Sequence, residues 1–194
     1  MPVTPKTPEE VVIMREAGRI NALALQAMRQ AARPGISTLE LDAIAAEVLR
    51  QHGARPAFLG YPPGSEYPFP ATITASINDE LVHGIPRADR ILREGDIISL
   101  DCGTIFNGFV GDSAITVGVG TISAEAQRLL EVTEQALYEG IAAALAGNTT
   151  RDIARAVQRF VERHGYSVVR EYAGHGVGRA MHEDVHVPNW WPDG

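Results

Sequence analysis

A single cysteine, Cys102, occurs in the 194 residues, which excludes an internal disulfide and fits a reducing compartment. Its strand-like neighbours make that thiol read as a buried small hydrophobe, not a nucleophile. Basic charge is also scarce. The formal net charge of −7 and pI near 5.3 argue against a dedicated nucleic-acid or anionic-membrane binder. No window reaches the apolar length of a membrane span. The polar opening, Met1 to Glu10, lacks the charged start and apolar stretch of a secretory signal. His-Glu-x-x-His, Gly-x-Ser-x-Gly and a phosphate-cradling Gly-Lys-Ser are all missing, which removes the zinc-protease, serine-hydrolase and nucleotide readings that rest on them. The 45% hydrophobic content is enough for a proper core without staples. One cytoplasmic globular domain over 1–194 is the expectation, with no membrane and no direct nucleic-acid partner.

The pattern along the chain is helix, helix, strands, and then a restart. Thr7-Pro8-Glu9-Glu10 has capping-box spacing, and apolar residues at 13, 17, 20, 24 and 28 keep helical period, so a first helix is predicted from Pro8 to Arg33. Ser37-Thr38-Leu39-Glu40 opens a second helix that Gly53 ends. A Pro/Gly/aromatic loop from Phe58 to Pro70 precedes a strand from Ala71 to Ile77 and a hairpin from Asp96 to Val119. A third helix is predicted from Ser123 to Ala146, and a fourth from Thr149 to His164-Gly165. At an offset of 112 positions Gly147 falls on Gly35, Thr149 on Ser37, Ile153 on Leu41, and His164-Gly165 on His52-Gly53. This predicts an internal duplication, with repeat units over 8–119 and 123–194. His52 and His164 are read as structural groups at helix ends. The second copy stops roughly 40 residues short of a second hairpin, counted by register.

The hairpin carries the first chemical signal. Asp101 and Asp112 flank Asn107-Gly108, the dipeptide favoured where a two-residue hairpin loop needs positive φ. With these as the loop, Phe106 faces Phe109 and Asp101 faces Ala114. Asp112 then lies diagonally across from Asp101 on one sheet face, about 7–8 Å away. Ser99, Gly103 and Thr116 share that face, while Ile98, Leu100, Cys102, Ile115 and Val117 point to the core. Two like charges this close raise one pKa unless a cation lies between them, and a divalent metal is the candidate. From the hairpin alone, the alternative that both are solvent-facing partners of Lys or Arg stays open.

Glycines frame three histidines: His83 before Gly84, His175 within Gly174-His175-Gly176, and His182 shortly after Gly178. Glycine lets backbone approach a site closely, so these rings read as positioned groups, against the plain alternative of core or exposed histidines. A spacing of seven puts His175 and His182 on opposite faces of a regular strand, so the segment must bend if both serve one centre. His186, without a glycine context, is the weaker candidate.

Five separated motifs then combine. Ser76-Ile77-Asn78 leads to His83-Gly84-Ile85-Pro86, Gly95-Asp96 leads to Asp101-Cys102-Gly103, and Gly111-Asp112-Ser113 follows. Gly174-His175-Gly176-Val177-Gly178 and His182-Glu183 complete the set. Together they resemble the type I methionine aminopeptidase family over nearly the whole chain. The resemblance implies an α+β pita-bread fold: pseudo-twofold duplicated helix-helix-strand units around a curved antiparallel sheet, here with the second half incomplete. It implies removal of the initiator methionine from nascent polypeptide N-termini by a monomer, near the ribosome, with two divalent ions (Co, Mn, Fe or Zn). Asp101 would chelate one ion, Asp112 would bridge both, and His175 would bind the second. His83 would stand beside the substrate amine, and His182 would hydrogen-bond the scissile carbonyl as charge develops. The methionine pocket would draw on Phe58, Tyr61, Phe69, Thr74 and Met181, against the alternative that these residues only close the core.

The chain departs from the family at one point. Two further glutamates of that centre find no match before Gly194. Two divalent ions bring about four positive charges against about two negative ones. The expectation is a polypeptide that binds at most one ion well and has little or no aminopeptidase activity, whether a fragment, an early stop or a natural short relative. The alternative function is a non-catalytic pita-bread module that binds the ribosome or a protein partner. A proline-specific peptidase is a third reading, but such relatives usually carry a large extra N-terminal domain.

Overall fold

The first two helices begin where side chains satisfy the N–H groups that a helix start leaves open. In the computed structural model the Glu10 carboxylate accepts from Thr7 N at 2.8 Å, and Thr7 Oγ1 accepts from Glu10 N at 3.3 Å. Helix α1 then runs Pro8–Ala31. Ser37 and Glu40 repeat the exchange at 2.8 and 3.2 Å, opening α2 over Thr38–Gln51. Residues 4–192 are described; 1–3 and 193–194, the outermost positions of the expected 1–194 domain, lie outside the described residues.

Four antiparallel strands follow: β1 (Arg55–Pro56), β2 (Ile73–Ile77), β3 (Ile97–Phe106) and β4 (Phe109–Gly118). Strand β3 is the hub, pairing with each of the other three. The two-residue β1 is an addition to the sequence reading, and β2 starts two residues later than predicted. The hairpin has the predicted register, with Phe106 opposite Phe109 and Asp101 opposite Ala114. Its loop residues Asn107 and Gly108 have φ of 47° and 82°, the double positive φ that this turn demands.

Strand alternation then separates core from site. Ile98, Leu100 and Cys102 of β3 are fully buried against Ile73 and Ala75 of β2, with Ile20, Ala24 and Met28 of α1 and Leu41, Ala45 and Leu49 of α2 in the same cluster. Full burial of one such Leu or Ile contributes about 1.5–3 kcal/mol. At Gly111 of β4 a Cβ would lie 2.7 Å from the Ala17 carbonyl carbon and from the Gly18 nitrogen, so α1 rests on bare strand backbone there.

Contacts divide the chain into two compact units, Pro5–Ser123 with Val177–Met181, and Ala124–Gly176 with 182–192. The second contains α3 (Ala124–Ala143), α4 (Thr150–Arg163), β5 (Gly174–Gly176) and β6 (Glu183–Val187). Local features recur at the offset noted above. The Asp152 carboxylate accepts from Thr149 N at 2.8 Å, as Glu40 does from Ser37. His52 and His164 each cap a helix and lie 2.9 and 2.8 Å from the carbonyls of Val48 and Phe160. The glycines that follow them, Gly53 and Gly165, both have positive φ. Within this unit a cavity of about 980 Å³ opens along α3 and α4, lined largely by apolar residues including Val132, Ala136, Val157 and Val168. No helix among the described residues is long and apolar enough to cross a membrane.

Two outcomes are expected. Gly111→Ala must push α1 off β4 and should lower unfolding stability by about 1–3 kcal/mol in urea titration. Burial pushes the Cys102 thiol up to about 12. Cys102 should therefore resist thiol reagents in the native protein and react promptly once denatured.

Candidate metal centre

The carboxylate pair meets where the register places it. Asp112 lies opposite Gly103, two positions from Asp101 along the same face of β3. Burial, then the charge of Asp112 and a hydrogen bond with it, push the Asp101 carboxyl to about 7, opposed by a hydrogen bond from Cys102 N–H. None of these influences on Asp101 comes from a lysine or arginine. A half-buried carboxylate driven to keep a proton by a second carboxylate is a donor set that a divalent cation satisfies, because the ion replaces the proton and removes the repulsion.

The rest of this face divides into a polar end and an apolar end. Thr74 of β2 is the register partner of Asp101, and Ser99 and Thr116 share a hydrogen bond of 2.8 Å. Towards the hairpin tip, Phe58 covers Gly103, its ring 2.6 Å from where a Cβ would be, so only glycine admits the ring there. Phe58 and Tyr61 pack with buried Met181, Ala57 and Val110, joined by Ile105 and Val177. Phe69 meets Phe58 edge-on at 6.5 Å, and its N–H bonds the Tyr61 carbonyl at 2.8 Å. The five predicted pocket residues thus all lie in the first unit with the carboxylates. Ile105, Val110 and Val177, which the sequence reading did not single out, belong to the same apolar cluster. For the first two the alternation of the strands was a sufficient signal, since they share a face with Asp101 and Asp112.

His83 is an exposed residue with φ of 61°, a conformation uncommon outside glycine. Its neighbour Gly84 is clamped to β2, accepting from Ala75 N at 2.8 Å and donating to Ser76 Oγ at 3.1 Å. A side chain at Gly84 would collide with the Ala75 carbonyl. Arg90, unforeseen from the sequence, fastens the same loop through its ion pair with Glu80 and its bonds to the carbonyls of Ala75 and Ile85 at 3.2 and 3.3 Å.

In the second unit β5 and β6 pair with a bulge after His175, and this supplies the required bend. The rings of His175 and His182 stand 4.2 Å apart, and His186 lies opposite His175 in the register. His175 Nδ1 lies 3.0 Å from the Gly176 carbonyl. A carbonyl only accepts, so Nδ1 is the donor there, which leaves Nε2 as the nitrogen through which a neutral histidine ligates a metal. Among the described residues no group of three or more His, Cys, Asp or Glu is gathered as a ready cage.

Metallopeptidase family M24 matches residues 12–193. The chain belongs to that family. Across 185 residues it is 46% identical to the methionine aminopeptidase of Clostridium acetobutylicum, covering 95% of this chain and 72% of that protein. Methionine aminopeptidase 1 of Bacillus subtilis is 50% identical over 187 residues, covering 96% and 73%. The crystal structure of methionine aminopeptidase from Thermotoga maritima superposes with a TM-score of 0.93 at 34% identity, covering 99% of this chain and 75% of that one. This M24 chain therefore has the α+β pita-bread fold and the stamp of a metal-dependent peptidase.

The raised carboxyl carries a pH signature. A carboxyl whose folded pKa exceeds its ordinary 3.8 contributes stability that is complete below that value and lost as pH rises through about 7. Without metal, the melting temperature should fall across this window relative to Asp101→Asn, measured side by side, and added Mn²⁺ should restore it.

Proposed function

We propose that this M24 chain removes the N-terminal methionine from nascent polypeptides by metal-dependent hydrolysis in the cytoplasm. The observation that carries the reading is the shared face of β3 and β4, where Asp101 and Asp112 adjoin the Phe58, Tyr61 and Met181 cluster across Gly103. An unbranched apolar side chain beside a charged reacting centre is what such a face accommodates. The identity to proteins named methionine aminopeptidase supports the same substrate.

Asp101, Asp112 and His175, the last through its Nε2, would hold the divalent metal. Co, Mn, Fe and Zn all suit mixed carboxylate and imidazole donors. When bound, such ions supply Lewis acidity towards the peptide carbonyl and a nucleophile at neutral pH. His83, on its fastened loop, would receive the substrate amine. His182, its ring tilted against that of His175, would donate to the carbonyl oxygen as negative charge develops. The apolar cluster would seat the methionine side chain and exclude water from it.

Mn²⁺ titration by calorimetry, paired with hydrolysis of Met-Ala-Ser, tests the reading. Stoichiometry comes first, since two carboxylates balance one divalent ion and not two. Asp112→Asn should weaken Mn²⁺ binding about 100-fold or more. Any hydrolysis should vanish when the substrate amine is formylated. A chain that binds no divalent ion, or whose Asp112→Asn form binds as tightly, overturns the proposal.

A further inference from the structure

Behind the carboxylate pair, on the opposite face of the hairpin, one polar side chain enters an otherwise apolar helix surface. Asn21 of α1 is fully buried. Its Oδ1 accepts from Thr104 Oγ1 of β3 at 2.7 Å, and its Nδ2 donates to Ser113 Oγ of β4 at 2.8 Å. One carboxamide thus bridges both strands of the hairpin to the helix. Ser113 directly follows Asp112, and Gly111, which directly precedes it, is the residue on which the Ala17 and Gly18 backbone rests. Helix α1 therefore grips the chain on both sides of Asp112, one helical turn apart, while Asp112 itself projects from the other face. Among the described strands β4 pairs with β3 alone, and on its other side one backbone bond, from Val110 N to the Gly178 carbonyl at 2.8 Å, holds the end near the turn.

We propose that Asn21 is a positioning residue for the metal centre: by tying α1 to Thr104 and Ser113 it holds Asp112 at ion-binding separation from Asp101. The inference rests on the metal-centre reading above. A carboxamide suits the task because it accepts and donates in one plane, and a leucine keeps the branched shape at a larger volume but does neither. Partners that orient ligands from behind in this way typically change metal affinity by about 10–100-fold when removed.

The test measures Mn²⁺ affinity and melting temperature together for the unaltered chain, Asn21→Leu, Ser113→Ala and their double variant. Two apolar core changes on the same helix, Ile20→Val and Met28→Ala, calibrate how affinity follows stability alone. Asn21→Leu is expected to bind Mn²⁺ at least about ten-fold more weakly, well below the trend of the two core variants. Ser113→Ala should lose about three-fold, and the double variant should be no worse than Asn21→Leu, since one bridge is removed in each. If Asn21→Leu does not fold, Ser113→Ala, at the exposed side of β4, decides the matter against the same trend. An Asn21→Leu affinity within two-fold of the unaltered chain, or one on the core-variant trend, overturns the positioning role while the metal centre stands. Failure of the unaltered chain to bind Mn²⁺ overturns the metal centre and this assignment with it.

Discussion

Everything at the site depends on two carboxylates being held together against their mutual repulsion. Left to themselves on a flexible chain, Asp101 and Asp112 would separate. Here the two-residue turn and the backbone ladder of β3 and β4 leave them no such freedom, and the raised carboxyl of Asp101 records the cost. The core face of the same strands opposes that cost. Ile98, Leu100 and Cys102 anchor the hairpin in apolar contacts whose summed burial outweighs one strained ionisation. A strand pair with one face for packing and one for chemistry is how this fold keeps a costly site without losing the structure around it.

Several parts of this arrangement were legible in the sequence because a local rule determined them. The Asn107-Gly108 turn left one register available, and strict alternation then assigned each residue of the hairpin to core or site. Capping residues likewise announced three of the four helix starts within a residue. The rest was hidden because it depends on distant partners. The spacing of His175 and His182 called for a bend but did not reveal the bulge that makes it, because that bulge depends on pairing with β6. Arg90 reads as a surface cation until the loop of residues 78–86 folds over it. Asn21 reads as a neutral interruption of an apolar stripe until Thr104, 83 positions on, arrives beside it. Short β1 carries no periodicity to detect.

The groups assigned to substrate differ from the carboxylates in how they are held. The carboxylates rise from regular strands, whereas His83 stands on a loop fixed by Gly84, Arg90 and Glu80. Loops fastened at a few points by polar contacts open at lower free energy than a strand ladder. The floor of the site is therefore its rigid part, and the residue assigned to the incoming amine belongs to the part that can yield.

The close approach of α1 to Gly111 has a further consequence. A helix that rests on strand backbone cannot slide without moving the strand, so whatever steadies the hairpin also steadies the helix. By thermodynamic reciprocity, occupancy of the carboxylates would be felt on the far side of the sheet, as slower amide exchange in the middle turns of α1. A helix that never touches the ion would then report its presence.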